Sequence, residues 1–308
     1  MVHEIQPAVG LDGLVSPGSK ASILDAGSVW AEGIVWLSTT NTLRWSDIPA
    51  NTIFEHSLDD GKTAIYKTGV EFTNGRTLDL DGTILQCSHG HRRIERDLAG
   101  TVSPVVESWN GVQFNSPNDV IVADDGSIWF SDPPYGIIFA REGHPGNREY
   151  GDHYVFRYDP RTRETRPAVT DVEEPNGLAF SPDGTVLYVA DSSALTSKSG
   201  SGNRHIRAYD VKAGRCKNGR TFAVVDEGVP DGLRVDMEGN VWSSSGDGVQ
   251  VYSPRGAHLG TIPVPEVVAN LCFGGRDGHD LFIAATTSIY HITTLTKECP
   301  KAADSGRA

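Results

Sequence analysis

Six side chains stand at the head of one recurring phrase, and all six carry oxygen: Glu32, Asn74, Asn118, Asn176, Asp231 and Asn270. Two carboxylates and four carboxamides, with no thiolate or imidazole among them, make a donor set for one hard divalent cation. Ca2+ is the first expectation, with Mg2+ and Mn2+ as alternatives. Zn2+ ordinarily takes His or Cys and suits the set less well. If the six converge, Glu32 and Asp231 repel and raise each other's pKa unless a cation lies between them. Taken singly, an Asn-Gly or Asp-Gly pair is ordinary turn punctuation. Glu32 argues against that reading for the set, because glutamate has no turn role and still fills the same slot.

The elements that position these residues follow from the phrase itself. A polar residue, often followed by glycine, leads an apolar-alternating strand, a turn rich in Asp and Gly, and a second strand. The copies are AEGIVWLSTTNTLRWSD (31–47), TNGRTLDLDGTILQC (73–87), PNDVIVADDGSIWFSD (117–132), PNGLAFSPDGTVLYVAD (175–191), PDGLRVDMEGNVWSSS (230–245) and ANLCFGGRDGHDLFIAA (269–285). The leading residues lie 42, 44, 58, 55 and 39 positions apart, near the length of one four-stranded propeller blade. The expected fold is therefore all-β, a six-bladed β-propeller with four antiparallel strands per blade. Each copy supplies strands A and B. Later segments supply C and D: 153–159 and 164–171 in blade three, 205–211 and 220–226 in blade four, 248–254 and 258–264 in blade five. Blade six runs short after 288–295, so residues 20–29 are expected to add its outer strand and close the ring with the N-terminus. The rival reading, a two-layer sandwich with coincidental spacing, does not account for six copies. The whole chain, 1–308, reads as one domain with an N-terminal extension (1–19) and a polar tail (296–308).

In such a ring the inner strands line a central channel, so the six leading residues face one mouth. The A–B turns, with Asp-Gly or Glu-Gly at 81–82, 125–126, 183–184 and 238–239, lie at the other mouth and read as hairpin chemistry. The B–C turns return to the first mouth. Two of them, 132–152 and 191–203, are long, rich in Gly, Pro and Ser, and placed to cover it as lids. His89 and His91 are candidates for substrate contact or proton transfer there, against the plainer reading of solvated loop histidines. Tyr135 is a candidate pocket wall, or lid packing.

Composition agrees. With 34 glycines and 17 prolines in 308 residues, many short strands and tight turns are favoured over long helices. A net charge of -13 argues against a nucleic-acid partner. No run approaches the roughly 18 apolar residues of a membrane span, so no membrane partner is expected. Residues 1–17 show no secretory pattern, so the expected compartment is the cytoplasm, or the periplasm if a leader has been removed. Cys87, Cys216, Cys272 and Cys299 lack metal-site or disulfide-scaffold spacing and read as free thiols. A monomer or weak homo-oligomer is expected.

The phrases AEGIVW, SPNDVIVADDGSIWFSDPPYG, EPNGLAFSPDG and VPDGLRVD, with CSHGHRR and HIRAYDV, resemble the gluconolactonase branch of the gluconolactonase/regucalcin (senescence marker protein) family from about Trp30 to Tyr290. The resemblance implies a six-bladed propeller with one catalytic divalent metal and a small sugar lactone as substrate. It implies metal-binding roles for Glu32, Asn176 and Asp231, and for Asn118 directly or through water or substrate. It assigns no role to Asn74 or Asn270, which stay with His91 and Tyr135 as candidate substrate contacts. Two departures stand out: Ile34 where the family often has Pro, and Ser116 where regucalcin-like members carry the Arg that holds the sugar acid.

The mechanism this implies is hydrolysis of a cyclic ester, with Lewis-acid polarisation of the carbonyl. Asp231 would serve as general base, Asn118 as donor to the developing oxyanion, and His89 as a further catalytic candidate. No G-x-S-x-G signature appears, so a serine nucleophile is disfavoured. The alternatives are phosphotriester hydrolysis at the same metal site and a non-catalytic metal-binding scaffold.

Overall fold

The computed structural model describes residues 5–198 and 201–299, so most of the expected polar tail, from 300 onward, lies outside the described residues. Six four-stranded antiparallel sheets follow one another around a ring. Their inner strands are Ala31–Leu37, Thr73–Leu78, Val120–Val122, Pro175–Phe180, Leu233–Val235 and Val268–Gly274. The six expected blades are thus present. The ring closes as expected: Ser22–Ala26 pairs antiparallel with Ser288–Thr293 as the outer strand of blade six. The N-terminal extension also contributes to the core, with Leu11 and Val15 buried between blades five and six.

Strand D of blade four begins at Arg215, five residues earlier than the sequence pattern suggests. Ala213 and Gly214 both hold positive φ and make a tight turn there, so the polar run after them, including Cys216, is strand rather than loop. A short ribbon, Ser108–Trp109 with Val112–Gln113, joins blades two and three.

Second strands such as Ile84–Ser88 and Ile128–Asp132 are buried on both faces because a neighbouring blade covers each side. Trp45, Trp129 and Trp242, each on such a strand, are fully buried, and truncating any one would cost roughly 3–5 kcal/mol. Outer strands such as Lys62–Thr68 are largely exposed. The four cysteines are free, with Cys87 and Cys272 in the core. Among the described residues no helix is long and apolar enough to cross a membrane.

Candidate active site

The inner strands do not enter the channel as regular β-structure. Register shifts fall between Glu32 and Val35, Thr73 and Arg76, Pro175 and Leu178, and Val268 and Asn270. In blades three and five regular pairing begins only at Val120 and Leu233, after Asn118 and Asp231. A bulge re-aims a side chain out of the pleat, and here it falls where the leading residue stands.

A second local device holds the approach to these kinks. Asp47, Asp132 and Asp191 end second strands, and each accepts two backbone N–H groups from the segment entering the inner strand. The pairs are Val29 and Trp30, Asn115 and Ser116, and Glu173 and Glu174. Each clamp ends two residues before Glu32, Asn118 or Asn176. The clamps are legible in the sequence as the recurring Asp after WS, FS and VA.

Every blade junction is then tied at this mouth. Arg76 Nη1 donates to Gly33 O (2.7 Å) and Gly75 N to Asn118 O (2.8 Å). Leu178 N donates to Asp119 Oδ2 (3.2 Å) and Ser192 Oγ to Pro230 O (2.6 Å). Gly232 N donates to Ala269 O (2.8 Å) and Asn270 Nδ2 to Glu32 Oε2 (3.0 Å). The glycines after the leading residues are there for this close approach. A Cβ on Gly33 would lie 2.0 Å from Asn74 O, and one on Gly177 would lie 2.0 Å from Asp231 O.

Glu32 and Asp231 interact directly across the mouth. Burial, with Asp119 nearby, pushes the Glu32 carboxyl up to about 7 despite hydrogen bonds from Gly33 N and Asn270. Burial, the Glu32 charge, Asp119 and Glu142 hold Asp231 well above the usual carboxylate range. Asn176 donates through Nδ2 to Ser192 Oγ (3.1 Å), leaving its Oδ1 buried and unpartnered. Asn118, 6% exposed, makes no side-chain hydrogen bond among the described residues.

His89 is fully buried. Its Nδ1 lies 2.9 Å from Glu142 O, which can only accept, so Nδ1 carries the proton. Its Nε2 lone pair therefore accepts from Asn74 Nδ2 (3.3 Å) and is not available to a substrate proton in this arrangement. Burial lowers its pKa to about 4, so the ring is neutral at physiological pH. The consequence is for Asn74, whose Oδ1 is left buried and without a partner.

Two candidate substrate contacts already hold protein partners. His91 turns its Nδ1 to Glu95 (2.8 Å), in a network shared with Arg93, and its side chain is 45% exposed. Asn270 accepts Leu271 N on Oδ1 and donates to Glu32, so it orients Glu32. Tyr135 does reach the mouth. It is 4% exposed, and its hydroxyl lies beside Glu174 and Ser192, interacting with both without a hydrogen bond of good geometry to either. Ser116 ties down the lid, accepting from Gly136 N and donating to Pro133 O.

Sequence reasoning missed Asp119, Glu142, Glu174 and Arg76. Asp119 adjoins Asn118 in the PND phrase and Glu174 lies in EEPNG, so proximity to a leading residue was the available signal. Glu142 is a lid residue felt by Asp231, and no periodicity marks it. Arg76 is buried beside Glu32, and burial lowers it to about 9.

Among the described residues no three His, Cys, Asp or Glu side chains form a metal cluster. The donors at this mouth are two carboxylates completed by amide oxygens. The paired carboxylates and the open Asn176 and Asn74 carbonyls fit a hard divalent ion. Four of the eight buried side-chain atoms without a partner among the described residues belong to Asn74, Tyr135, Glu174 and Asn176, all at this mouth. A cavity of about 570 Å³ opens instead at the far mouth, among turn residues such as Asp124, Asp125 and Asp183, and contains none of the six.

A family described as the SMP-30/gluconolactonase/LRE-like region matches residues 30–287. A gluconolactonase of Zymomonas mobilis is 30% identical over 93% of this chain and 84% of its own. A pentonolactonase of Haloferax volcanii is 28% identical over 85% of this chain and 83% of its own. The solved structure of a Xanthomonas campestris gluconolactonase superposes with a TM-score of 0.85 at 34% identity, covering 94% of each chain.

Proposed function

The chain belongs to the SMP-30/gluconolactonase/LRE-like family, and from that premise we propose that it hydrolyses a small sugar lactone to the open-chain hydroxy acid. The observation that carries the reading is the paired Glu32 and Asp231 carboxylates beside the unpartnered Asn176 and Asn74 carbonyls. Lactone-hydrolysing relatives that align with most of this chain support the reaction class.

Glu32, Asn176 and Asp231 would hold one divalent ion, Ca2+ by preference for all-oxygen donors, with Asn118 completing the set directly or through water. When bound, such an ion supplies Lewis acidity to the lactone carbonyl and the positive charge that lets Glu32 and Asp231 be ionised together. Asp231 takes the proton from a water as its oxygen attacks the carbonyl carbon. The ring C–O bond then breaks, and the departing alkoxide takes that proton back from Asp231 to become the hydroxyl of the product, which returns Asp231 to its ionised form. Asn118 donates its amide N–H to the carbonyl oxygen as negative charge develops there. Asn270 and Gly33 N orient Glu32. His89, through its fixed tautomer, holds Asn74 with Oδ1 toward the channel, and so is a positioning residue in this scheme. Tyr135 and the blade-three lid wall the site.

The test is proton release from glucono-δ-lactone by chelator-stripped protein, with Ca2+, Mg2+, Mn2+ or Zn2+ restored singly and a phosphotriester assayed alongside. Turnover restored by a metal, faster on the lactone, supports the reading. Absence of lactone turnover with every metal in folded protein overturns it, and turnover of the phosphotriester alone transfers the site to that reaction.

A further inference from the structure

Two buried polar atoms above the carboxylate pair have no task in the scheme just given. Glu174 is 6% exposed. Its Oε1 accepts from the Thr196 hydroxyl, while Oε2 has no partner among the described residues. The Tyr135 hydroxyl lies beside this carboxylate and interacts with it, but makes no hydrogen bond of good geometry to it or to any other described group. The nearby Ser192 hydroxyl is committed, accepting from Asn176 and donating to Pro230 O. Three separate segments build the spot: the clamp before the inner strand of blade four, the blade-three lid and the blade-four lid. Leaving a buried acceptor and a buried hydroxyl short of well-formed hydrogen bonds is costly, and the contact between the two still leaves acceptor capacity on the carboxylate.

Resting on the lactonase reading, we infer that Glu174 and Tyr135 form a hydroxyl-recognising subsite that selects lactones carrying ring hydroxyls over unsubstituted ones. Glu174 Oε2 accepts from one substrate hydroxyl, and the Tyr135 hydroxyl bonds that oxygen or its neighbour. A site with open buried polar groups discriminates strongly against an analogue that lacks the matching hydroxyl, because those groups then stay unpaired. The chemistry is a neutral polyol's. With Glu173 and Asp191 adding negative charge around Glu174, the spot would repel a carboxylate-bearing ligand, and the ring two residues away already offers the better cation donors. Asp231 lies within electrostatic reach of Tyr135, which puts the subsite over the reacting end of the mouth.

The experiment compares kcat/KM for glucono-δ-lactone with that for δ-valerolactone, the same six-membered cyclic ester without hydroxyls, in metal-replete wild type, Glu174→Met, Glu174→Gln and Tyr135→Phe. The ratio of the two values is the readout, since a general disturbance of the fold or metal site lowers both together. The expected result is a fall of the ratio by about 10–100-fold in Glu174→Met, less in Glu174→Gln, and about 3–10-fold in Tyr135→Phe. If Glu174→Met does not fold, the near-isosteric Glu174→Gln and Tyr135→Phe decide. An unchanged ratio in the folded variants, with wild type active on gluconolactone, overturns this inference alone. A wild type inactive on both lactones overturns the lactonase reading and this inference with it.

Discussion

Gly177 follows Asn176 at one mouth of the channel, and Gly184 follows Asp183 at the other, yet the two glycines meet different needs. Gly184 has φ +66 and nothing within 4 Å of a would-be Cβ, so it serves the backbone of a hairpin turn. Gly177 does not need a left-handed backbone. It leaves room for the next blade, whose Asp231 O would sit 2.0 Å from a Cβ. The acidic groups differ in the same sense. Asp183 accepts from the Ser181 hydroxyl, from Thr185 N and from the Thr185 hydroxyl, and the Ser181 bond leads in holding its pKa below the usual range. Glu32 is buried, Asp231 is half-buried against it, and both are pushed the other way. A polar group that is satisfied within its own turn marks architecture. Polar groups brought from several blades and left short of partners mark a place for something else to bind.

The most severe way to break this contrast is to remove one carboxylate from each mouth. Asp231→Asn is expected to lower lactone turnover by about 10³-fold. Asp183→Asn should leave turnover intact and cost under about 1 kcal/mol in denaturant unfolding. Equal losses of turnover would erase the distinction between the mouths.

The glycines come next. Gly177→Ala must displace the inner strand of blade five and should cost both activity and about 2–4 kcal/mol. Gly184→Ala meets only an unfavourable φ, worth about 1 kcal/mol, with kcat/KM unchanged. Paired unfolding curves and rates separate the two, and a harmless Gly177→Ala would contradict the close approach.

The smallest effect is in the pH dependence of stability. A carboxyl with a raised folded pKa favours the fold when protonated. Glu32 therefore contributes stability that is fully present below its ordinary 4.5 and lost as pH rises through about 7. Asp183, shifted downward, contributes above 3.8 and loses that contribution as pH falls further. Metal-stripped protein should accordingly show Tm declining between pH 4.5 and 7, and added Ca2+ should flatten that decline. A stripped protein whose Tm is level over this window would show that the pair carries no repulsion to relieve.

Much of this was legible along the chain because the signals are local. Strand alternation, Asp-Gly turns and the 39-to-58-residue repeat act within one blade, and six copies make each blade's reading support the others. The short sixth blade even announced its missing strand, which Ser22–Ala26 supplies. The positions of the six leading residues follow from the same repeat. Their present partners do not. Asn270 looked like the other amides until its contact with Glu32, 238 residues away, turned it into a support. His89 and His91 are two residues apart in one turn, yet one is locked between Asn74 and Glu142 O while the other pairs with Glu95 near solvent. Glu142, Tyr135 and Thr196 sit in the two long B–C connections, which carry no repeat, Tyr135 at the start of a single helical turn.

The sequence by itself determined the blades, their order, the closing strand and which residue of each blade heads the channel, since backbone conformation and burial pattern are set by neighbours a few positions away. Only the tertiary structure decided which of those polar atoms are consumed and which remain open. Hydrogen-bond satisfaction is a property of groups that meet across blades and lids, and a single chain segment carries no record of its distant partner.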